Sequence, residues 1–205
     1  MEVRAVLFDA DGVVQQPAPT WFTSWVELVG GDEDTAHRFL TDIFAAETPF
    51  LKGGDGFENA ISSVLEQWNF SVQMVDVLKI WTLIEPAPDI MALLPAIRST
   101  GVSVGLATNQ QQHRIDYMRS ELGYSELFDH FVVSCEIGES KPDTDYFHKA
   151  IDLLNLDPGE ILFFDDKEPN VEAARSTGIR AEVFHFREGQ ARMIDLLTRN
   201  GVTIA

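Results

Sequence analysis

Cysteine is nearly absent from this 205-residue chain, with Cys135 standing alone. One thiol makes no intramolecular disulfide and no cysteine-based metal cluster. Because it follows the apolar run Phe131-Val132-Val133-Ser134, Cys135 reads as strand-end packing rather than as a thiol nucleophile. Cations are also scarce: 15 Lys and Arg face 33 Asp and Glu, for a formal net charge of -18. A field of that sign repels nucleic acid and anionic membrane, so neither is an expected partner. An anionic substrate would have to be met by local cations. No apolar run is long enough to span a bilayer, and no Lys/Arg-led apolar leader opens the chain. A cytoplasmic protein is the expectation.

Apolar residues, by contrast, make up 45% of the chain, enough for a substantial core. After Pro88 they alternate between two kinds of segment. Short β-branched or aromatic runs at 3–8, 102–107, 131–133, 161–164 and 181–184 read as strands. Helical spacing fills 89–100, 110–122, the stretch carrying Phe147 to Leu154, 170–177, and an exposed final helix at 192–198. Strands alternating with helices predict a doubly wound parallel α/β sheet. Between Val14 and Pro88 the spacing is helical, with no convincing strand. Four helices are expected there: one after Thr20, one capped by Asp32 or Asp34, one after Gly56, and one capped by Ser71. The chain is therefore expected to have a core of 1–13 and 89–205 and an inserted helical domain of 14–88. The insert's Trp and Phe residues read as packing. Its loop Phe50-Leu51-Lys52-Gly53-Gly54-Asp55-Gly56 combines backbone freedom with a cation and is a candidate substrate contact.

Ligands of a doubly wound sheet bind beyond the C-terminal ends of its strands, and polar residues gather there in this sequence. Asp9 and Asp11 end the first strand, Thr108-Asn109 ends another, and Asp165-Asp166 ends a third, with Lys141 in the loop after a fourth. Singly, each has an ordinary reading: a turn, a helix cap or a solvated loop residue. Together they compose a phosphate site. Carboxylates offer hard oxygen ligands for Mg²⁺, a hydroxyl and backbone amides can hold phosphate oxygens, and a lysine offsets the negative charge.

In order, Asp9-Ala10-Asp11-Gly12-Val13, Thr108-Asn109, Lys141-Pro142 and Phe163-Phe164-Asp165-Asp166 through Asn170 resemble the motifs of the haloacid dehalogenase-like (HAD) hydrolase superfamily. The resemblance is to its phosphatase branch, with a helical cap after the first catalytic strand, and it spans the whole chain with 14–88 as the cap. It implies a Rossmann-like core and a Mg²⁺-dependent phosphatase. The substrate implied is a small phosphorylated metabolite, a phosphomonoester such as a sugar phosphate, and the reaction runs through an aspartyl-phosphate. Asp9 would be the nucleophile. Asp11 would protonate the leaving alkoxide and later deprotonate the attacking water. The Asp9 carboxylate, the Asp11 carbonyl and Asp166 would hold Mg²⁺. Thr108 and the amide of Asn109 would hold phosphate oxygens, and Lys141 would stabilise the nucleophile and the developing charge. Asp165 and Asn170 would orient metal waters or Lys141. Asp165 stands where many relatives have glycine, which leaves open which member of the doublet touches the metal. Lys52, Gly53 and Gly54 would influence substrate choice.

Other functions share these parts. A dehalogenase would normally lack the second acid, so Asp11 weighs against it. A phosphosugar mutase would use the same core. A phosphoacceptor or regulatory module also combines a phosphorylated Asp, an acidic pair, Thr and Lys on a doubly wound sheet, although the long insert and Asp11 favour turnover. The motifs specify neither the substrate nor the oligomeric state.

Overall fold

The computed structural model describes residues 1–204. The first strand, β1 (Ala5–Phe8), is wholly buried and carries side chains alternately to two faces. It leads into β2 (Gln15–Pro17) and four helices: α1 (Trp21–Leu28), α2 (Glu33–Glu47), α3 (Phe57–Gln67) and α4 (Met74–Trp81). The chain returns through β3 (Ile84–Pro86), which pairs antiparallel with β2. It then forms α5 (Pro88–Met91), α6 (Leu94–Ser99), β4 (Ser103–Thr108), α7 (Gln112–Ser120), α8 (Tyr124–Leu127) and β5 (His130–Val133). The last part contributes α9 (Ser134–Ile137), α10 (Thr144–Leu154), β6 (Ile161–Asp165), α11 (Glu168–Ser176), β7 (Arg180–Val183) and α12 (Gln190–Arg199).

Five parallel strands run in the order β5-β4-β1-β6-β7, the expected α/β architecture. The first strand is central, and Phe8 is in register with Leu106 of β4 and Phe164 of β6. This register places the residues after Phe8, Ala107 and Phe164 side by side at one sheet edge. One face buries Val6, Phe8, Leu106 and Phe164 against α5–α8 and α12; the other buries Leu7, Ala107 and Phe163 against α10 and α11. Each such large apolar side chain contributes about 1.5–3 kcal/mol on burial. The helical insert has its own core of Trp25, Phe39, Ile43, Ile61 and Trp81. Asp32 caps α2 by accepting a hydrogen bond from the Thr35 N–H at 2.8 Å.

Four expectations need correction. The insert is joined to the core by the β2–β3 ribbon, whereas no strand was expected there. Three-residue strands ending in Pro17 and Pro86 carry too little alternation to register as strands. Val14, Ile84 and Ala87 on this ribbon are buried with the sheet's core. The helix expected over 89–100 is split, because Pro95 has no N–H with which to continue a helix through it. The fourth insert helix is preceded by Gln73 in extended conformation, not capped by Ser71. The final helix is amphipathic rather than exposed, burying Met193, Leu196 and Leu197. No helix among the described residues is long and apolar enough to cross a membrane.

Candidate active site

The shortest polar contacts of the sheet edge converge on Lys141. Its ammonium lies 2.8 Å from Asp9 Oδ1 and 2.6 Å from Asp165 Oδ2, and donates to the Ala107 carbonyl at 2.9 Å. Three acceptors satisfy its three donors. Burial opposes the charge on Lys141, but Asp9 and Asp165 outweigh it and hold the pKa above the ordinary lysine value. The loop that carries Lys141 is clamped by Asn109, whose side-chain Nδ2 donates to the Lys141 carbonyl at 2.8 Å while its Oδ1 accepts from the Lys141 N–H at 2.9 Å. With its side chain committed to the clamp, Asn109 retains only its backbone amide for a ligand.

The two members of the acidic doublet differ sharply. Asp165 is fully buried; beyond Lys141 it accepts from Asn170 Nδ2 on both oxygens and from the Lys167 N–H, each at 2.9 Å. It has little capacity left for a metal. Asp166 Oδ1, in contrast, is buried without a hydrogen-bond partner. Gly12, with φ of +89°, lies so close that an added Cβ would sit 2.7 Å from Asp166 Oδ2. Only glycine lets the first loop approach this carboxylate in that conformation. Burial, with Asp165 beside it, pushes the Asp166 pKa above the usual carboxylate range.

Asp9, Asp165 and Asp166 each bring a carboxylate oxygen to within 4.8 Å of the others. Three carboxylates face one ammonium, so the cluster retains an excess of negative charge. Burial raises the Asp9 pKa, with Lys141 offsetting only part of the effect. With Asp165 committed to its hydrogen bonds, Asp9 and the unpartnered oxygen of Asp166 are the carboxylate donors left for a hard divalent cation.

The Asp11 carboxylate takes its hydrogen bonds from outside that cluster. Its Oδ1 accepts from Gln15 Nε2 at 2.9 Å and from the Arg114 guanidinium at 2.8 Å, and its Oδ2 accepts from Gln110 Nε2 at 2.8 Å. Asp11 therefore lines two cavities. A small one of about 50 Å³ includes Asp9, Thr108, Asn109, Lys141 and Asn170. The other, of about 240 Å³, has walls of Trp21, Trp25, Phe44 and Trp81 from the insert and Arg114 from α7. Aromatics of the insert thus line a cavity as well as packing its core. Gln15, Gln110 and Arg114 were not anticipated from the sequence; the run Gln110-Gln111-Gln112 directly after Thr108-Asn109 was the available hint. Buried Glu47 also faces this junction and accepts from Trp81 Nε1 at 3.0 Å, its pKa pushed up to about 7 by burial.

The glycine-rich loop lies elsewhere. Lys52 pairs with Glu139 at 3.1 Å and Asp143 at 2.7 Å on the core. Lys52 lines neither cavity beside Asp11. Gly53, at φ of +92°, packs so tightly on the Cys135 carbonyl that a Cβ would lie 2.6 Å from it. Gly54 lines a separate cleft between the insert and α7. Cys135 lines neither cavity, and burial pushes its thiol up to about 11.

Comparison with known proteins agrees with this architecture. The model of the haloacid dehalogenase-like hydrolases matches residues 3–178. A phosphorylated carbohydrates phosphatase of Thermotoga maritima is 25% identical over 182 residues, covering 86% of this chain and 82% of that protein. A beta-phosphoglucomutase of Bacillus subtilis is 25% identical over 189 residues, covering 87% and 82%. A HAD family enzyme of Bacteroides thetaiotaomicron, solved in complex with magnesium and inorganic phosphate, superposes with a TM-score of 0.71 at 19% identity, covering 88% of this chain and 93% of that one. The match over most of the chain, on a five-stranded parallel sheet with acids at its C-terminal edge, makes this protein a member of the haloacid dehalogenase-like hydrolases.

Proposed function

We propose that the protein is a Mg²⁺-dependent phosphatase that hydrolyses a small phosphomonoester through an aspartyl-phosphate on Asp9, with the helical insert acting as its cap. The observation that carries this reading is the placement of Asp11 on both cavities. A general acid must reach the bridging oxygen between phosphorus and leaving group, and Asp11 sits where a phosphate-sized cavity meets a larger one. Relatives named as a phosphatase of phosphorylated carbohydrates and as a phosphomutase use phosphoryl chemistry, which supports the same class.

In this mechanism the phosphoryl group enters the small cavity, where the Thr108 hydroxyl and the Asn109 amide bind its oxygens. The Asp9 carboxylate attacks phosphorus, and the bond to the leaving oxygen breaks as Asp11 delivers a proton to that oxygen. Asp11 then accepts a proton from the water that attacks the aspartyl-phosphate, releasing phosphate and restoring Asp9. Lys141 compensates charge on Asp9 throughout, held in place by Asp165 and the Asn109 clamp. Asp9, Asp166 and the Asp11 carbonyl would hold Mg²⁺, which supplies charge compensation between the carboxylate and the incoming phosphate. Asp165 and Asn170 position Lys141 rather than the metal.

Asp11→Asn tests the assignment. After a short incubation with an activated phosphate ester, mass spectrometry should find one phosphoryl group on Asp9 in this variant, because hydrolysis of the intermediate has lost its base. A label on Asp165, Asp166 or Cys135 would overturn the mechanism.

A further inference from the structure

The larger cavity has a chemical bias that the motifs do not contain. Its walls are predominantly aromatic. Trp21 stacks on Phe44 with ring centroids 6.5 Å apart, and Trp81 meets Phe44 at 5.5 Å and Trp25 at 5.8 Å, both edge to face. Phe44 is 45% exposed, unusual for a phenylalanine in a helix whose other large apolar residues, Phe39, Leu40 and Ile43, are buried. An apolar ring face left open to a cavity is a surface on which another apolar group can pack.

The wall offers few polar partners: among the described residues, Asp11 and Arg114 are its only charged side chains, and they already pair with each other at 2.8 Å. A leaving group rich in hydroxyls would lose hydrogen bonds to water that such a wall does not return. A mainly apolar leaving group gives up little there.

We propose that this cavity is the leaving-group site and that it selects phosphate esters of apolar, ring-bearing alcohols in preference to polyhydroxylated sugar phosphates. Phe44 supplies the ring contact. The inference rests on the phosphatase reading and narrows its substrate class.

The test compares two esters of primary alcohols, so that the demand for acid catalysis is similar: benzyl phosphate and a hexose 6-phosphate. The benzyl ester should exceed the hexose ester in kcat/KM by about tenfold or more. Phe44→Ser, a change at a half-exposed position, should lower the ratio of benzyl to hexose turnover by about tenfold. A preference for the hexose ester, or an unchanged ratio in the variant, would overturn the proposal.

Binding separates this proposal from the phosphatase reading. Three of the four tryptophans line the cavity, so indole fluorescence reports occupancy without turnover. Titration with benzylphosphonate, which is not hydrolysed, should change the emission saturably, with about tenfold weaker affinity in Phe44→Ser. Such binding without hydrolysis of any ester would support the cavity's selectivity and overturn the phosphatase reading. Absence of a saturable change in the wild-type protein would overturn the cavity proposal even if phosphate is released.

Discussion

The two cavities that meet at Asp11 are built on opposite principles. On the phosphate side, Lys141 has three acceptors, Asp165 has four hydrogen-bond contacts, and Asn109 has its side chain clamped. On the other side, aromatic faces dominate. A saturated polar network fixes positions to within a fraction of an ångström and suits one reaction performed in one geometry. A mostly apolar wall suits selection among ligands. On the proposed reading, chemistry belongs to strand ends of the core and choice of leaving group to the insert, with Asp11 between them.

The largest expected effect breaks the comparison at its reactive end. Asp9→Asn should reduce turnover by about 10³-fold or more for every ester, because an amide oxygen is a far weaker nucleophile than a carboxylate. Asp11→Asn should cost about 10²–10⁴-fold with an alkyl ester and less when the leaving group needs little protonation. Phosphate release measured over a series of leaving groups checks both. Robust turnover by the Asp9 variant, or a uniform loss across the series in the Asp11 variant, would dissolve the division of labour.

The acidic doublet sharpens the same contrast. Removing the charge of Asp165 leaves Lys141 with one carboxylate fewer in a buried site, and Asp165→Asn should lower unfolding stability by about 3–5 kcal/mol. Asp166→Asn alters an oxygen with no protein partner, so its effect should fall on Mg²⁺ affinity, with a much smaller change in stability. Denaturant unfolding and Mg²⁺ titration of both variants distinguish them; the reverse pattern would exchange the roles assigned here. Wild-type activity should vanish in excess chelator, and Ca²⁺ should restore it poorly because it takes more ligands at longer distances.

These contrasts were legible in the sequence to different degrees. Asp9, Thr108 and Asp165 end long apolar runs, so the strands and their ligand-binding edge could be read directly. The β2–β3 ribbon was hidden by its length and its prolines. Arg114 and Gln110 were hidden for another reason: their partner Asp11 lies 103 and 99 positions away, and only the pairing of β1 with β4 brings them together. The aromatics Trp21, Phe44 and Trp81 have the spacing of core residues, and a helical stripe does not say which of its members faces a void.

Glu47 provides a moderate effect at the boundary between insert and core. Its pKa is raised from 4.5 to about 7 by burial, so between these values the folded state binds a proton that the unfolded chain has released. Stability contributed by the protonated folded form is therefore lost as pH rises from about 4.5 to 7, by up to roughly 3 kcal/mol. Glu47→Gln keeps an acceptor for Trp81 without the charge. Relative to wild type, the variant should gain stability steadily across that window and show a constant advantage above it. Thermal unfolding at a series of pH values reads the difference, and a pH-independent offset would mean that Glu47 is ionised throughout in the folded protein.

The smallest effect concerns Lys52, which reaches from the insert to Glu139 and Asp143 and is half exposed. Ion pairs in this setting are weak and screened by salt. Glu139 also has Lys149 within 3.7 Å, so one partner keeps a cation when Lys52 is lost. If Lys52 only helps to seat the insert on the core, Lys52→Ala should change kcat and KM together by two- to threefold at low ionic strength, because seating governs entry and release. High salt should bring wild type and variant together. If Lys52 instead contacts the substrate during turnover and influences its choice, as its glycine-rich setting in the sequence suggested, Lys52→Ala should change the ranking of esters by kcat/KM while turnover of an activated ester persists. Measuring a panel of esters at low and high salt decides between a closing contact and a substrate contact. Gly53 offers the companion test of seating: its Cβ would strike the Cys135 carbonyl, so Gly53→Ala should raise KM and respond little to salt, since the obstruction is steric.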